Sequence, residues 1–222
     1  MGKGLTASMQ LVKGLAMPAF DEFMVKIVPD DGRYQHENLM AAASHCRQRR
    51  TVIDGGAHVG MWSRTFAGLF DRVIAFEPSP DTFECLLYNI DAPNVDCRNQ
   101  ALGAAPGKIH MTLAGFEGTQ REKNSGARYV ADGGNIDRVT VDSLDLDDLD
   151  LLKMDIEGSE VEALKGARET LLRCRPVVLF EGKNEWIRRG FKEDAPQRFL
   201  SSLGAEKFER VGIDEIWGWP NG

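Results

Sequence analysis

Cysteine is scarce: four residues in 222, Cys46, Cys85, Cys97 and Cys174, with no C-x-x-C pair and no histidine at the short spacing that zinc ligation needs, so a structural zinc site is not expected. No stretch approaches the ~18–20 uninterrupted apolar residues of a membrane span. The N-terminal run is broken by Thr6, Ser8, Gln10 and Lys13, and secretion is not indicated. Reduced thiols in a cytoplasm are the expectation. Positive charge is also short, 27 Lys plus Arg against 34 Asp plus Glu, and the resulting −7 sets the long-range field against polyanions, so nucleic acid is not the expected partner. The Gly-x-Gly-x-x-Gly fingerprint of nicotinamide enzymes is absent, as is the Asn/Asp-Pro-Pro-Tyr/Phe run suited to base amino groups. With 42% hydrophobic and 27% charged residues, the composition is that of a globular chain of one core rather than a disordered or collagenous one. Met1-Gly2-Lys3-Gly4-Leu5-Thr6 fits the loose myristoylation pattern, whose few fixed positions arise easily by chance.

The pattern changes near residue 50. Residues 1–50 read as an N-terminal helical segment, a candidate substrate cover, with a helix over about 36–48 whose Leu39, Met40, Ala43 and Cys46 share a face. The cluster of Arg47, Arg49 and Arg50 reads as its solvated end. Residues 51–222 alternate short apolar runs with helical ones. Strands are expected over 51–53, 72–76, 149–154 and 176–180, and a less regular one over 95–97 with 100–102, with 108–113 as its hairpin partner. Val59, Trp62, Phe66, Leu69 and Phe70 recur as one helix face requires, and so do Phe83, Leu86, Leu87 and Ile90 behind the Ser79-Pro80 start signal. Residues 115–134 read as a long mobile loop, and Ser159 with Glu162 as the capping box of a helix reaching about 173. A helix over 195–203 and strands over 207–211 and 215–219 follow, with Trp217 and Trp219 on one core-facing side. Alternation of apolar strands with helices implies an α/β, doubly wound sheet with helices on both faces, whose ligands bind at the carboxyl ends of the strands.

Four strand ends carry the chemistry. Asp54-Gly55-Gly56-Ala57-His58-Val59-Gly60 offers a tight glycine turn before a helix N-terminus, with an acid suited to an ammonium or hydroxyl rather than a phosphate. Phe76-Glu77-Pro78 places an acid about twenty positions on, where it can accept from the hydroxyls of an adenosine ribose. Together they suggest a nucleoside ligand that lacks phosphate and carries a cation, which is the character of S-adenosylmethionine. Lys153-Met154-Asp155-Ile156-Glu157-Gly158-Ser159-Glu160 alternates a lysine with carboxylates on one strand face, either a salt-linked strand end or a polar reaction site. Phe180-Glu181-Gly182 adds a carboxylate at the neighbouring tip.

These runs, followed by Leu164-Lys165-Gly166-Ala167, resemble the FkbM family of S-adenosylmethionine-dependent methyltransferases over roughly residues 50–182. The resemblance implies a Rossmann-like, seven-stranded, mostly parallel sheet with an antiparallel last strand. It implies that Asp54, Gly56 and Gly60, with Gly55 and Ala57 of the same turn, bound the methionine end of the cofactor. Glu77, beside Pro78, would hold the ribose, Gln100 and Ala101 would lie against the adenine, and Asp155 would sit where methyl group and acceptor meet. S-adenosylhomocysteine would be the product, and the acceptor a hydroxyl of a small molecule, sugar or glycan.

A hydroxyl acceptor requires a base, for which Asp155, Glu157, Glu181 and His58 are the candidates, Asp155 the favoured one. Lys153 is a candidate electrostatic stabiliser of the carboxylate or the developing alkoxide. The carboxylates also offer oxygen ligands for a divalent metal, a reading not favoured. Other histidines, His36, His45 and His110, read as structural or exposed. The competing readings are a ribose 2′-hydroxyl methyltransferase of nucleic acid, for which the Arg121, Lys123 and Arg128 loop is slight, a nonenzymatic S-adenosylmethionine-binding protein, and a nicotinamide oxidoreductase.

Overall fold

The computed structural model describes residues 4–113 and 118–220; residues 1–3 of the myristoylation pattern, residues 114–117 of the long loop and the side chains of Gln120 and Arg121 lie outside the described residues. The chain opens with a hairpin of β1 (Met9–Val12) and β2 (Leu15–Pro18), then α1 (Met24–Ile27) and α2 (His36–His45). The N-terminal segment therefore contains strands as well as helices, and β2 is buried along its whole length because it packs under the sheet. Arg50 does not end a solvated helix: its guanidinium grips Asp150 through both carboxylate oxygens, at 3.1 and 2.6 Å.

The body alternates β3 (Thr51–Gly55), α3 (Met61–Ala67), β4 (Arg72–Phe76), α4 (Pro80–Asn89) and β5 (Val95–Arg98). A smaller region follows, with β6 (Gln100–Leu102), β7 (Gly107–Thr112), β8 (Tyr129–Asp132) and β9 (Ile136–Val139). The chain returns through β10 (Leu149–Met154), α5 (Glu160–Lys165), α6 (Arg168–Cys174), β11 (Val177–Glu181), α7 (Ala195–Ser202), β12 (Glu206–Val211) and β13 (Asp214–Gly218).

The main sheet has seven strands in the order β12-β13-β11-β10-β3-β4-β5. Its middle strands pair in parallel, and β13 pairs antiparallel with both β11 and β12. Strands covered on both faces must be apolar on both, which is why β11 reads Val-Val-Leu-Phe before its terminal glutamate. One face packs Leu152, Phe180 and Trp217 against Val161, Leu164, Leu171 and Leu200 of the last three helices, with Trp219 in the same cluster. The other packs Val52, Val73 and Leu179 against Leu39, Trp62 and Phe66, with the hairpin and α1 beneath. The order reverses between β3 and β10, so the crevice at the carboxyl ends of these two strands is the switch point.

Three local expectations change. The third strand divides: β5 ends the main sheet, while β6 joins a four-stranded sheet ordered β6-β9-β7-β8, in which β7 pairs with β8 and β9 rather than with β6. The 115–134 stretch contains turns of 3-10 helix at Gln120–Lys123 and Ser125–Ala127 and the strand β8. The helix expected from Ser159 to about 173 breaks at Gly166, where a Cβ would stand 2.0 Å from the Gly103 carbonyl oxygen. Ser159 makes no side-chain cap bond, and Glu162 pairs with Arg189. Asp142 serves α6 instead, accepting from Thr170 N at 2.8 Å and Glu169 N at 3.1 Å.

Candidate functional site

Parallel strands deliver their carboxyl ends to one edge, so the motifs met separately in the sequence converge there. A cavity lies at that edge, open to solvent at its mouth. Gly56, Ala57, Glu77, Pro78, Gln100, Ala101, Lys153, Asp155 and Glu181 line it, as do His58 and Glu157. Asp54, Gly55 and Gly60 are not on its wall.

Asp54 shows why. In the parallel register Asp54 stands beside Lys153, and both are buried. Lys153 Nζ donates to Asp54 Oδ1 at 2.8 Å and to the carbonyls of Gly55 and Gly56 at 3.1 and 2.9 Å, which uses all three ammonium hydrogens. Asp54 Oδ2 accepts from Ser63 Oγ at 2.6 Å. Burial works against the Lys153 charge, but the carboxylates of Asp54 and Asp155 outweigh it and hold its pKa above the ordinary value. Together Asp54 and Lys153 clamp the tips of β3 and β10, with Lys153 on the cavity wall and Asp54 behind it. Gly56 completes that join, because its φ of +73° suits glycine and a Cβ there would lie 1.9 Å from the Asp155 carbonyl oxygen. Gly60 packs instead under α4, where a Cβ would meet Leu86.

Glu77 is buried at the end of β4. Its Oε1 accepts from Ser79 N and Thr82 Oγ1, both at 2.8 Å, and its Oε2 from His58 N at 2.8 Å. Burial raises its pKa, with those bonds opposing. A carboxylate has about four acceptor positions, so one remains open on Oε2.

The second acidic group is denser. Asp155, Glu157 and Glu181 each offer an oxygen within 4.8 Å of the others. Lys183, two residues past the β11 tip, brings its ammonium 2.7 Å from Glu181 and 3.8 Å from Glu157, so one cation already stands among them. Burial, then the charge of Asp155, pushes Glu181 up to about 9. Lys183 is likewise raised, because the charges of Glu157 and Glu181 outweigh its own burial. Burial and the neighbouring carboxylates thus favour the protonated form of Glu181, against the Lys183 ammonium beside it. No hydrogen bond reaches the Asp155 carboxylate from the described residues. The last glutamate of the motif, Glu160, braces the loop: its Oε1 accepts from Ile156 N at 3.2 Å and Gly158 N at 3.3 Å.

A roof closes over these groups. Phe23, Met24, Tyr34 and Gln35 from the N-terminal segment and Asn124, Ser125, Gly126 and Arg128 from the segment before β8 complete the wall. The two are stitched together: Glu22 N and Phe23 N donate to the Lys123 carbonyl, Lys123 pairs with Glu22, and Asp21 accepts from Ser125 N at 3.0 Å. Arg128 reaches back to Asp81 and stacks over Phe20. Lys183 had a local signal, as the second residue after a strand-end acid; the N-terminal segment was expected as a cover, but its pairing with the segment before β8 had no signal, because the partners lie ~100 positions apart.

A family model described as the FkbM methyltransferase domain matches residues 54–206, well over half of the chain. Among solved structures, methyltransferase FkbM from Methylobacillus flagellatus KT is 18% identical with a TM-score of 0.50, over 77% of this chain and 44% of that one. The chain thus spans less than half the length of that protein, and the likeness is one of fold. A ribosomal protein L11 methylase from Lactobacillus delbrueckii subsp. bulgaricus is 12% identical, TM-score 0.48, over 86% of this chain and 78% of its own. A SAM-dependent methyltransferase from Aquifex aeolicus is 11% identical, TM-score 0.48, over 87% and 94%. None of the curated proteins compared with the chain matches it significantly. Among the described residues no helix is long and apolar enough to cross a membrane.

Proposed function

Given that the chain belongs to the FkbM methyltransferase family, we propose that it transfers the methyl group of S-adenosylmethionine to a hydroxyl of a small-molecule, sugar or glycan acceptor, leaving S-adenosylhomocysteine. The observation that carries this reading is one cavity that joins Glu77, with a single acceptor position open for a ribose hydroxyl, to the Asp155 carboxylate, which accepts no hydrogen bond from the described residues. Gln100 and Ala101 supply the adenine wall in this reading. S-adenosylmethionine, when bound, supplies a methyl group already activated by a positive sulfur. What remains for the chain is to align the acceptor, exclude water and take its proton.

Asp155 takes that proton from the acceptor hydroxyl, beside Glu181, whose pKa burial raises. The N-terminal segment and the 118–128 segment recognise the acceptor. Carboxylates on the acceptor side disfavour a phosphodiester, which argues against a nucleic-acid ribose. None of the four cysteines forms a disulfide, which suits a cytoplasmic setting. Thermal unfolding with S-adenosylmethionine, S-adenosylhomocysteine and NAD tests the cofactor, since a ligand at ~100 times its dissociation constant stabilises by ~2.7 kcal/mol. A shift with the adenosyl ligands that Glu77→Ala abolishes is the expected result; a shift with NAD alone refutes it.

A further inference from the structure

Asp21 is fully buried, and four donors converge on it: Phe23 N at 3.0 Å and Met24 N at 2.7 Å on Oδ1, Ser125 N at 3.0 Å and the Ser125 hydroxyl on Oδ2. A carboxylate so placed accepts only, so the one hydroxyl hydrogen of Ser125 points to it. Ser125 Oγ then has only lone pairs to offer His58 Nε2, 2.5 Å away. The network therefore assigns the hydrogen to Nε2 and the lone pair to Nδ1. Nδ1 has no partner among the described residues, and His58 is one of the residues that line the cavity. Burial brings the imidazole pKa down to about 4, against the opposing charges of Asp21 and Asp155, so the ring is neutral near pH 7.

The position of the ring selects its ligand. The turn Gly56–His58 runs from Asp155, whose carbonyl Gly56 abuts, to Glu77, which the His58 main chain binds. In the S-adenosylmethionine reading, on which this inference rests, that span faces the methionine portion. Its ammonium needs an acceptor, and Asp54 stands behind the wall. We propose that His58, oriented by Ser125 and Asp21, accepts the cofactor α-ammonium through Nδ1. His58 is then a cofactor-binding residue, and Ser125 and Asp21 are positioning residues. Because Asp21 belongs to the N-terminal segment and Ser125 to the roof, ammonium recognition requires the roof to be in place.

The test compares S-adenosylhomocysteine with 5′-methylthioadenosine, which lacks the amino-acid portion, by calorimetry on the parent, Ser125→Ala and His58→Ala. The ratio of the two affinities should fall about tenfold in both variants, as loss of a hydrogen bond to a charged group predicts. Strain at the positive φ of position 58 acts on both ligands and cancels in the ratio. An unchanged ratio overturns the assignment. Spectra of the unliganded, ¹⁵N-histidine-labelled protein should show the Nε2–H tautomer for His58 and its loss in Ser125→Ala; an Nδ1–H parent overturns the assignment as well. A parent that binds neither ligand overturns the cofactor reading itself, a result distinct from a parent that binds both with a ratio the variants leave unchanged.

Discussion

Replacing Lys153 by methionine separates a clamp from a chemical group. The lysine side chain is 7% exposed and the Asp54 side chain 0%, so the pair is shielded from water on both sides. Methionine preserves much of the volume but leaves Asp54 with Ser63 as its one side-chain donor among the described residues, and deprives the Gly55 and Gly56 carbonyls of their ammonium. Breaking a buried ion pair from one side costs ~3–5 kcal/mol. At ~2–4 °C per kcal/mol for a chain of this size, Tm should drop by roughly 6–20 °C, read by calorimetry. Adding Asp54→Asn removes the stranded charge, so the double variant should be more stable than the sum of the two single losses implies, with a coupling of ~0.5–3 kcal/mol. A Lys153→Met protein that melts with the parent yet transfers no methyl would refute the clamp and return Lys153 to the chemistry.

Glu181 supplies a pH signature. Its folded pKa of about 9 exceeds the ordinary 4.5, so the folded chain holds a proton that the unfolded chain has released between these values. This contribution is full below about pH 4.5 and is lost as pH rises to about 9, at up to ~1.4 kcal/mol per pH unit. Glu181→Gln should lack that decline in urea titrations at successive pH values; parallel declines in parent and variant would refute it. Asp155→Asn should lower kcat by ~10²–10⁴ while calorimetry finds S-adenosylhomocysteine affinity within about threefold of the parent; near-parental turnover would assign the base elsewhere. Gly56→Ala should destabilise more than Gly166→Ala. Both force a Cβ to about 2 Å from a carbonyl oxygen, but only Gly56 has a positive φ, which adds ~1–2 kcal/mol. Urea midpoints in the reverse order would contradict this.

The strands and helices of the main sheet were legible because their signals are local. An apolar run such as 176–180 or a stripe such as Val59, Trp62 and Phe66 repeats with the period of the backbone it forms. The acids at the strand ends were legible for the same reason, since parallel strands bring their carboxyl ends to one edge whatever lies between them. Side-chain direction and partnership were not. Whether Asp54 faces a ligand or a lysine depends on the register of β3 against β10, across 99 positions. The division of the third strand depends on β9 pairing with β6, and the failed cap at Ser159 on Glu160 turning back to its own loop. The chain from Asp21 through Ser125 to His58 spans separations of 104 and 67 residues. The sequence by itself determined the sheet and the family through its local periods and contiguous motifs. Only the tertiary structure decided which polar atoms face the cavity, because a hydrogen bond depends on a few tenths of an ångström between groups that the chain places far apart.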